Sequence, residues 1–221
     1  MRVILKLGGR IVADAAAQAR ALAAAGAEVA VVHGGGPQIS AELHRRGINV
    51  EFVHGRRVTT PDALPVVRET LVAVGEEVCA TLGPVAVHLV GDEIGLEARS
   101  LPGLGCVGEP VPCRPAAIED ALARGRIPVV TPVAVGPLNV NADEAASALA
   151  IGLGAERIHF MTDVPGVLVN GVVAARMDAG EATRLLDAGA FEGGIVPKLL
   201  AAVTAARLGV RAEIGATEVH A

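Results

Sequence analysis

The chain has 221 residues, a formal net charge of −5 and a hydrophobic fraction of 52%. This length fits one large domain or two small lobes, and the composition allows a sizeable core. Aromatic side chains are limited to three Phe, and no basic run is present, which argues against binding of single-stranded nucleic acid or of a duplex backbone. No apolar run approaches the roughly 20 residues of a membrane span, and no charged segment precedes an apolar signal core.

Residue types that commonly bind metals or form disulfides show no informative spacing. The cysteines are odd in number, so we expect reduced structural thiols and a cytoplasmic location. The histidines are scattered and are interpreted as structural or surface residues. These residues are Cys79, Cys106, Cys113, His33, His44, His54, His88, His159 and His220.

Short runs rich in Val and Ile alternate with longer Ala- and Leu-rich stretches that carry charges on one side. This alternation predicts an α/β fold with a mostly parallel sheet and helices on both faces. The predicted strands are 3–7, 28–33, 85–90, 127–135 and 157–162. The predicted helices are 14–25, 37–46, 61–82, 116–125, 142–153, 181–188 and 197–208, and residues 91–113 are expected to form hairpins or irregular structure.

The first predicted strand ends in Lys6-Leu7-Gly8-Gly9. A buried lysine must find a partner or lose its charge, and paired glycines are costly unless something approaches the main chain closely. Lys6 and Lys198 are the only lysines among 19 basic residues. Because lysine is a compact point charge and arginine a planar fork, both positions indicate a point charge in a tight space. The structural alternative is chance placement of Lys6 in an edge strand together with a compositional bias towards arginine.

The strand at 28–33 runs directly into Gly34-Gly35-Gly36-Pro37. Three glycines before a helix present bare N–H groups and the positive end of the helix dipole to an anion. A tight turn is the structural alternative, but one glycine would usually suffice for it. The spacing matches neither the dinucleotide-binding motif nor the Walker phosphate loop.

Arg56 and Arg57 stand just before a helix that Thr60 would cap and Pro61 would begin. Two arginines here fit bidentate binding of a carboxylate, and a solvated basic turn is an equally good interpretation. Pro65 is expected to disturb the first turns of this helix.

The segment 139–144 supports a structural and a chemical interpretation. Asn141 followed by Glu144 forms a variant of the capping box, and Asp143 would lie in the first helical turn, where the dipole favours a carboxylate. Because this interpretation leaves Asn139 unexplained, both interpretations stay open.

Pro197 is predicted to begin the last long helix, which places Lys198 in its first turn. A cation there is disfavoured by about 0.3–1 kcal/mol, and a bound anion would reverse the sign. This position is the strongest residue-level indication of an anion-binding site.

Taken together, these segments resemble the amino-acid kinase family and, within it, the acetylglutamate kinases. The motifs occur in family order over residues 1 to about 210, and Arg57-Val58-Thr59 separates this branch from its nearest relatives. They are KLGG (6–9), HGGGP (33–37), GRRVT (55–59), VGE (107–109), NVNAD (139–143), TDVPGVL (162–168) and GGIVPK (193–198).

The resemblance implies a three-layer αβα sandwich with a mostly parallel central sheet, as in amino-acid and carbamate kinases. It implies a single domain over residues 1–221, with a substrate-binding lobe at about 1–135 and a nucleotide-binding lobe at about 136–221. The implied reaction is ATP-dependent phosphorylation of the side-chain carboxylate of N-acetyl-L-glutamate, giving N-acetyl-glutamyl 5-phosphate in arginine biosynthesis. Mg2+ would be held mainly by the nucleotide phosphates.

The resemblance also implies residue roles. Lys6 and Lys198 would flank the transferring phosphoryl group, and Asp143 would hold both ammonium groups. Backbone N–H groups of the glycines would bind phosphate and substrate, Arg57 would bind the substrate α-carboxylate, and Asn139 would contact the acetylated amino acid. Substrate binding thus involves Gly34, Gly35, Arg57 and Asn139, and nucleotide binding involves Gly8, Gly9, Thr162, Asp163, Gly193, Gly194 and Ile195. No general base is expected, because the attacking carboxylate is ionised at neutral pH.

The chain departs from the family pattern in its length. It ends about one helix and a strand before the usual family end, and the segment 91–108 and the loop before Asn139 are short. Met1 directly precedes the first strand, so we expect a homodimer without the N-terminal helix of arginine-regulated hexamers. Two alternatives remain. One is a sister kinase acting on carrier-protein-linked aminoadipate or glutamate, and the other is a non-catalytic ligand- or oxyanion-binding protein on the same fold.

Overall fold

The chain folds around a sheet whose centre is its first strand. A computed structural model describes residues 1–8 and 12–221 (for residue 12 the backbone only), so the predicted site residue Gly9 lies outside the described residues. The strands are β1 (Arg2–Leu7), β2 (Glu28–His33), β3 (Phe52–Val53), β4 (Arg56–Arg57), β5 (Ala86–Val90), β6 (Ala98–Ser100), β7 (Val107–Pro110), β8 (Ile127–Thr131), β9 (Val133–Ala134), β10 (Leu138–Val140), β11 (Arg157–Phe160), β12 (Leu168–Val169), β13 (Val172–Val173), β14 (Arg176–Asp178), β15 (Arg211–Ile214) and β16 (Thr217–His220). The helices are α1 (Val12–Ala24), α2 (Gly36–Arg45), α3 (Ala63–Leu82), α4 (Gly91–Ile94), α5 (Ala116–Ala123), α6 (Ala142–Gly152), α7 (Ala179–Asp187) and α8 (Ile195–Arg207).

The main sheet has eight strands in the order β14-β16-β15-β11-β1-β2-β8-β5. Its neighbours run parallel except for the antiparallel pair β15–β16. Within β1, Lys6 is aligned with Val32 of β2 and Phe160 of β11. The alternative that Lys6 lies in an edge strand is therefore wrong, because β1 has a hydrogen-bonded neighbour on each side.

Alternation of side chains along β1 divides the core into two faces. Val3, Leu5 and Leu7 pack with α1 and α3 on one face. Ile4 packs on the other face in the cluster that includes α5, α6 and α8. The predicted three-layer αβα sandwich is thus confirmed. The same alternation directs Lys6 towards the layer that contains α6 and α8.

The predicted strand 127–135 is split at Pro132 into β8 and β9. A proline has no N–H with which to continue a strand ladder. After it, β9 pairs with β10 in a second sheet of order β6-β7-β10-β9. Two strands of this second sheet, β6 and β7, lie in the region expected to contain hairpins or irregular structure, and β10 carries Asn139 to the site.

Helix α3 begins at Ala63, two residues later than predicted, and Pro65 does not disturb it. Pro65 is the third helical residue, and N–H groups of the first turn have no intrahelical acceptor to lose. Thr60 still acts near the predicted position, because its Oγ1 accepts the N–H of Ala63 at 3.2 Å.

Two later helices begin two residues earlier than predicted. Helix α7 begins at Ala179, where Asp178 caps the N–H groups of Gly180 and Glu181. Helix α8 begins at Ile195, so Pro197 is its third residue and Lys198 its fourth. No helix in the described part of the chain is long and apolar enough to cross a membrane.

Candidate active site

Two clefts open near the carboxyl ends of the central strands, where ligands commonly bind in parallel α/β sheets. The small cleft has a volume of about 200 Å³ and the large cleft about 580 Å³. The predicted residues that line the small cleft are Lys6, Gly34, Gly35, Arg57, Asn139 and Asp143. Those that line the large cleft are Gly8, Thr162, Asp163, Gly194, Ile195 and Lys198.

A charged triad of Lys6, Asp143 and Lys198 connects the clefts. Lys6 Nζ lies 2.9 Å from Asp143 Oδ1, and Lys198 Nζ lies 3.5 Å from Asp143 Oδ2. The first pair meets at ion-pair distance without the alignment of a hydrogen bond. Both Lys6 and Asp143 are 4% exposed, so this is a buried pair rather than a surface salt bridge.

The electrostatics of the triad favour a bound anion. Burial lowers the pKa of Lys6, and the neighbouring Lys198 lowers it further, whereas Asp143 opposes both effects. With both amines protonated, one carboxylate serves two ammonium groups and one positive charge is left over. An anion between the lysines would supply the missing charge and favour the protonated form of Lys6.

The charge of Lys198 at the start of α8 already has a protein partner. Asp143 supplies a carboxylate oxygen, and Lys198 Nζ also donates to the carbonyl of Gly194 at 3.5 Å. The position of Lys198 in α8 is therefore a weaker indication of an anion-binding site than it is from sequence alone. The stronger indication is the carboxylate that two amines share.

The start of α6 serves both interpretations that the sequence left open. Asn141 Oδ1 accepts the N–H groups of Asp143 at 2.8 Å and Glu144 at 3.2 Å, which confirms the cap. The Glu144 carboxylate does not complete a capping box, because it accepts from Arg56 Nε at 3.0 Å. Asp143 is left free to contact the lysines.

The glycines after β2 contribute in different ways. The N–H of Gly34 donates to the carbonyl of Leu7 at 3.0 Å, so the expectation that it donates to a ligand is wrong. The reason is that the β1–β2 ladder continues one residue past the strand. A Cβ on Gly34 would lie 3.8 Å from Lys6 Nζ, and one on Gly35 only 3.1 Å from a methyl of Leu71. The N–H of Gly35 has no acceptor among the described residues.

Arg57 lines the small cleft, and one end of its guanidinium lacks an acceptor among the described residues. Its Nη2 donates to the carbonyl of Gly36 at 3.0 Å and to Ser40 Oγ at 2.9 Å. Its Nη1 is buried and has no acceptor among the described residues. Burial lowers the pKa of Arg57, and the guanidinium carbon lies 4.6 Å over the ring of Phe52. A positive donor held in this way is suited to bind a carboxylate.

Arg56 is committed to protein partners instead. It contacts Glu144 at 3.0 Å and Glu109 at 3.2 Å. The sequence interpretation in which both arginines clamp a carboxylate therefore holds for Arg57 at most. The interpretation as a solvated basic turn is wrong for Arg57, which is 6% exposed.

Asn139 is positioned by a residue that sequence reasoning missed. Its Nδ2 donates to Thr59 Oγ1 at 2.9 Å, and Thr59 Oγ1 donates to the carbonyl of Arg57. Thr59 is fully buried and thus joins the two predicted substrate-binding side chains. Thr59 lies in the motif GRRVT (55–59), but no local pattern shows a contact between residues 80 positions apart.

The large cleft brings the start of α8 close to the loop after β11. Thr162, Asp163, Gly194 and Lys198 all line it, whereas Gly193 precedes this group without lining the cleft. The positive end of α8 favours phosphate groups in this position. Within the described residues, no cluster of three or more His, Cys, Asp or Glu side chains is arranged to hold a metal ion.

Sequence comparison finds relatives along almost the whole chain. The model of the amino acid kinase family matches residues 1–215. The acetylglutamate kinase of Nocardia farcinica is 39% identical over 235 residues, covering 94% of this chain and 77% of the relative. The acetylglutamate kinase of Solibacter usitatus is 41% identical over 228 residues, covering 96% of this chain and 89% of the relative.

A solved structure agrees with this relationship. The crystal structure of smu.665 from Streptococcus mutans UA159 has a TM-score of 0.90 and 27% sequence identity, covering 99% of this chain and 98% of that chain. The family match, the relatives and the shared fold extend over the segments that form both clefts. The chain therefore belongs to the amino acid kinase family.

Proposed function

We propose that this chain transfers the γ-phosphoryl group of ATP to the side-chain carboxylate of N-acetyl-L-glutamate, producing N-acetyl-glutamyl 5-phosphate for arginine biosynthesis. The observation that carries the proposal is the triad of Lys6, Asp143 and Lys198, which places two amines between a small and a large cleft. The names of the curated relatives indicate the same substrate.

The small cleft supports an N-acylated acceptor with a free α-carboxylate. The unpaired Nη1 of Arg57 is available to that carboxylate. The acidic side chains nearby are already paired, since Asp143 contacts the lysines and Glu144 and Glu109 contact Arg56. A free α-ammonium group would find no unpaired carboxylate among them. An acetylated nitrogen is uncharged and therefore needs no carboxylate partner.

The proposed chemistry needs little covalent participation by the protein. An oxygen of the substrate side-chain carboxylate attacks the γ-phosphorus, the bond from phosphorus to the β–γ bridging oxygen breaks, and ADP leaves with that electron pair. No proton has to move. Lys6 and Lys198 stabilise charge on the transferring group, and Asp143 fixes both amines. Mg2+, when bound to the nucleotide phosphates, supplies further charge neutralisation.

We also assign ATP to the large cleft. Its volume, the start of α8 and the side chains of Thr162 and Asp163 support this assignment. On this basis, residues before about 135 form mainly the acceptor lobe and later residues mainly the nucleotide lobe. The acceptor cleft also takes residues 139–143 from beyond that boundary.

A cytoplasmic homodimer is part of the same proposal. Cys79, Cys106 and Cys113 are free thiols, as expected in a reducing compartment. Strand β5 is an edge of the main sheet, and its residues Ala86–Val90 are half-buried and mostly apolar. Such an edge is suited to pairing with a second copy.

The direct test is turnover of ATP with N-acetylglutamate, glutamate and aspartate measured side by side. We expect N-acetylglutamate to be the preferred acceptor by kcat/KM. Preference for a free amino acid would contradict the proposed acceptor. No turnover with any of the three would also contradict it, and would favour either a kinase for carrier-protein-linked acceptors or a binding protein on the same fold.

Asp143→Asn should lower kcat about 100-fold or more, because the neutral amide no longer orients two ammonium groups. Steady-state kinetics and urea unfolding of the same preparation separate this loss from misfolding. Glu181→Gln is the matched control, since it removes an exposed first-turn carboxylate from α7 and should leave kcat unchanged. Near-normal kcat in well-folded Asp143→Asn would exclude Asp143 from the catalytic site.

Arg57→Lys keeps the charge but loses the forked donor. The KM for N-acetylglutamate should therefore rise about tenfold or more, while the KM for ATP stays nearly constant. Arg45→Lys, at an exposed arginine that pairs with Glu42, is the control and should change neither constant. A larger effect on the KM for ATP would place Arg57 at the nucleotide instead.

A further inference from the structure

A hydrogen-bond chain links His88, Thr131 and His33 to the glycine segment 34–36. Its three side chains have no part in the chemistry described above. His33, at the end of β2, is 1% exposed, and Thr131, at the end of β8, is fully buried. Thr131 Oγ1 lies 3.0 Å from His33 Nε2 and 2.8 Å from His88 Nε2. On its other side, His33 Nδ1 lies 3.3 Å from the carbonyl oxygen of Gly34.

The positions of the protons in the hydrogen-bond chain follow from its last acceptor, the carbonyl of Gly34. The Gly34 carbonyl can only accept, so His33 must carry its proton on Nδ1. Burial lowers the pKa of His33 to about 4, so the ring is neutral near pH 7 and Nε2 is an acceptor. The Thr131 hydroxyl then donates to His33, and His88 Nε2–H donates to Thr131. Each donor in the chain has one acceptor.

Helix α3 leaves room for the His33 and His88 rings of the hydrogen-bond chain. Gly75 lies inside the helix, where glycine is less stable than alanine by roughly 0.5–1 kcal/mol. A Cβ at this position would lie 2.9 Å from His33 Nε2 and would overlap the Nε2 atom of His88. Because Gly75 has no Cβ, both imidazole rings fit beside the helix.

The hydrogen-bond chain ends at the peptide group between Gly34 and Gly35, and both of these residues line the small cleft. The carbonyl of Gly34 and the N–H of Gly35 belong to one planar trans peptide and point in opposite directions. A hydrogen bond that holds the carbonyl therefore also fixes the direction of the N–H. Gly35 lines the small cleft, and its N–H has no acceptor among the described residues.

We propose that His88, Thr131 and His33 are positioning residues that aim the N–H of Gly35 at the anionic acceptor group in the small cleft. The proposal rests on the proposed function for the identity of that group. The three residues act through the peptide and do not touch the substrate.

Thr131→Val tests the proposal because valine has nearly the same shape but no hydroxyl. We expect kcat/KM for N-acetylglutamate to fall about tenfold while the KM for ATP stays within about twofold. Thr131→Ser restores the hydroxyl and should recover most of the loss. Thr70→Val is the control, because within the described residues the Thr70 hydroxyl bonds to the carbonyl of Val66 in its own helix and to no other group. Unchanged acceptor kinetics in folded Thr131→Val would overturn the proposal.

A second measurement does not depend on turnover. In nitrogen-15 NMR spectra of the wild-type chain at pH 7, His33 should be protonated on Nδ1 and bare on Nε2. The amide signal of Gly35 should shift in Thr131→Val and remain near its wild-type position in Thr131→Ser. His33 protonated on Nε2, or a Gly35 signal that Thr131→Val does not move, would refute the hydrogen-bond chain. If these signals behave as expected but the wild-type chain does not phosphorylate N-acetylglutamate, the proposed function fails and the positioning of Gly35 stands.

Discussion

The site depends on one buried carboxylate shared by two amines. Asp143 contacts Lys6 at 2.9 Å and Lys198 at 3.5 Å, and each of the three residues comes from a different element. Burial of an unpaired ammonium is costly, so β1 and α6 must meet at this point for Lys6 to remain charged, and α8 brings Lys198 to the same carboxylate. The shared carboxylate thus joins the central strand to two helices in one layer of the sandwich.

With both amines protonated, the arrangement leaves one positive charge in excess between the two clefts. A more complete neutralisation, with a second acidic residue, would favour the empty protein and repel a phosphoryl group. The cap at Asn141 has a part in this balance, because it satisfies the N–H groups at the start of α6 and frees the Asp143 side chain. In the same way, Thr59 joins Arg57 to Asn139 on the acceptor side.

The layers of the fold and the two lysines of the site could be predicted from local sequence. The αβα layers follow from the alternation of apolar runs, and the scarcity of lysine indicated Lys6 and Lys198. What could not be predicted depends on partners that are distant in the chain. Thr59 and Asn139 are 80 positions apart, and His33 and Thr131 are 98 positions apart. The hydrogen bond from the Gly34 N–H to the carbonyl of Leu7 depends on the register of β1 and β2. A glycine motif cannot show that register.

The proposed reaction requires Lys198 to face the nucleotide phosphates, and protection from brief acetylation tests this most directly. The chain offers three amines, of which Lys6 is 4% exposed and should react slowly in any state. With MgATP at about a hundredfold excess over Kd, nearly every site is occupied. Labelling of Lys198 should then fall strongly, while the N-terminal amine reacts as before. Equal labelling of Lys198 with and without MgATP would contradict the account.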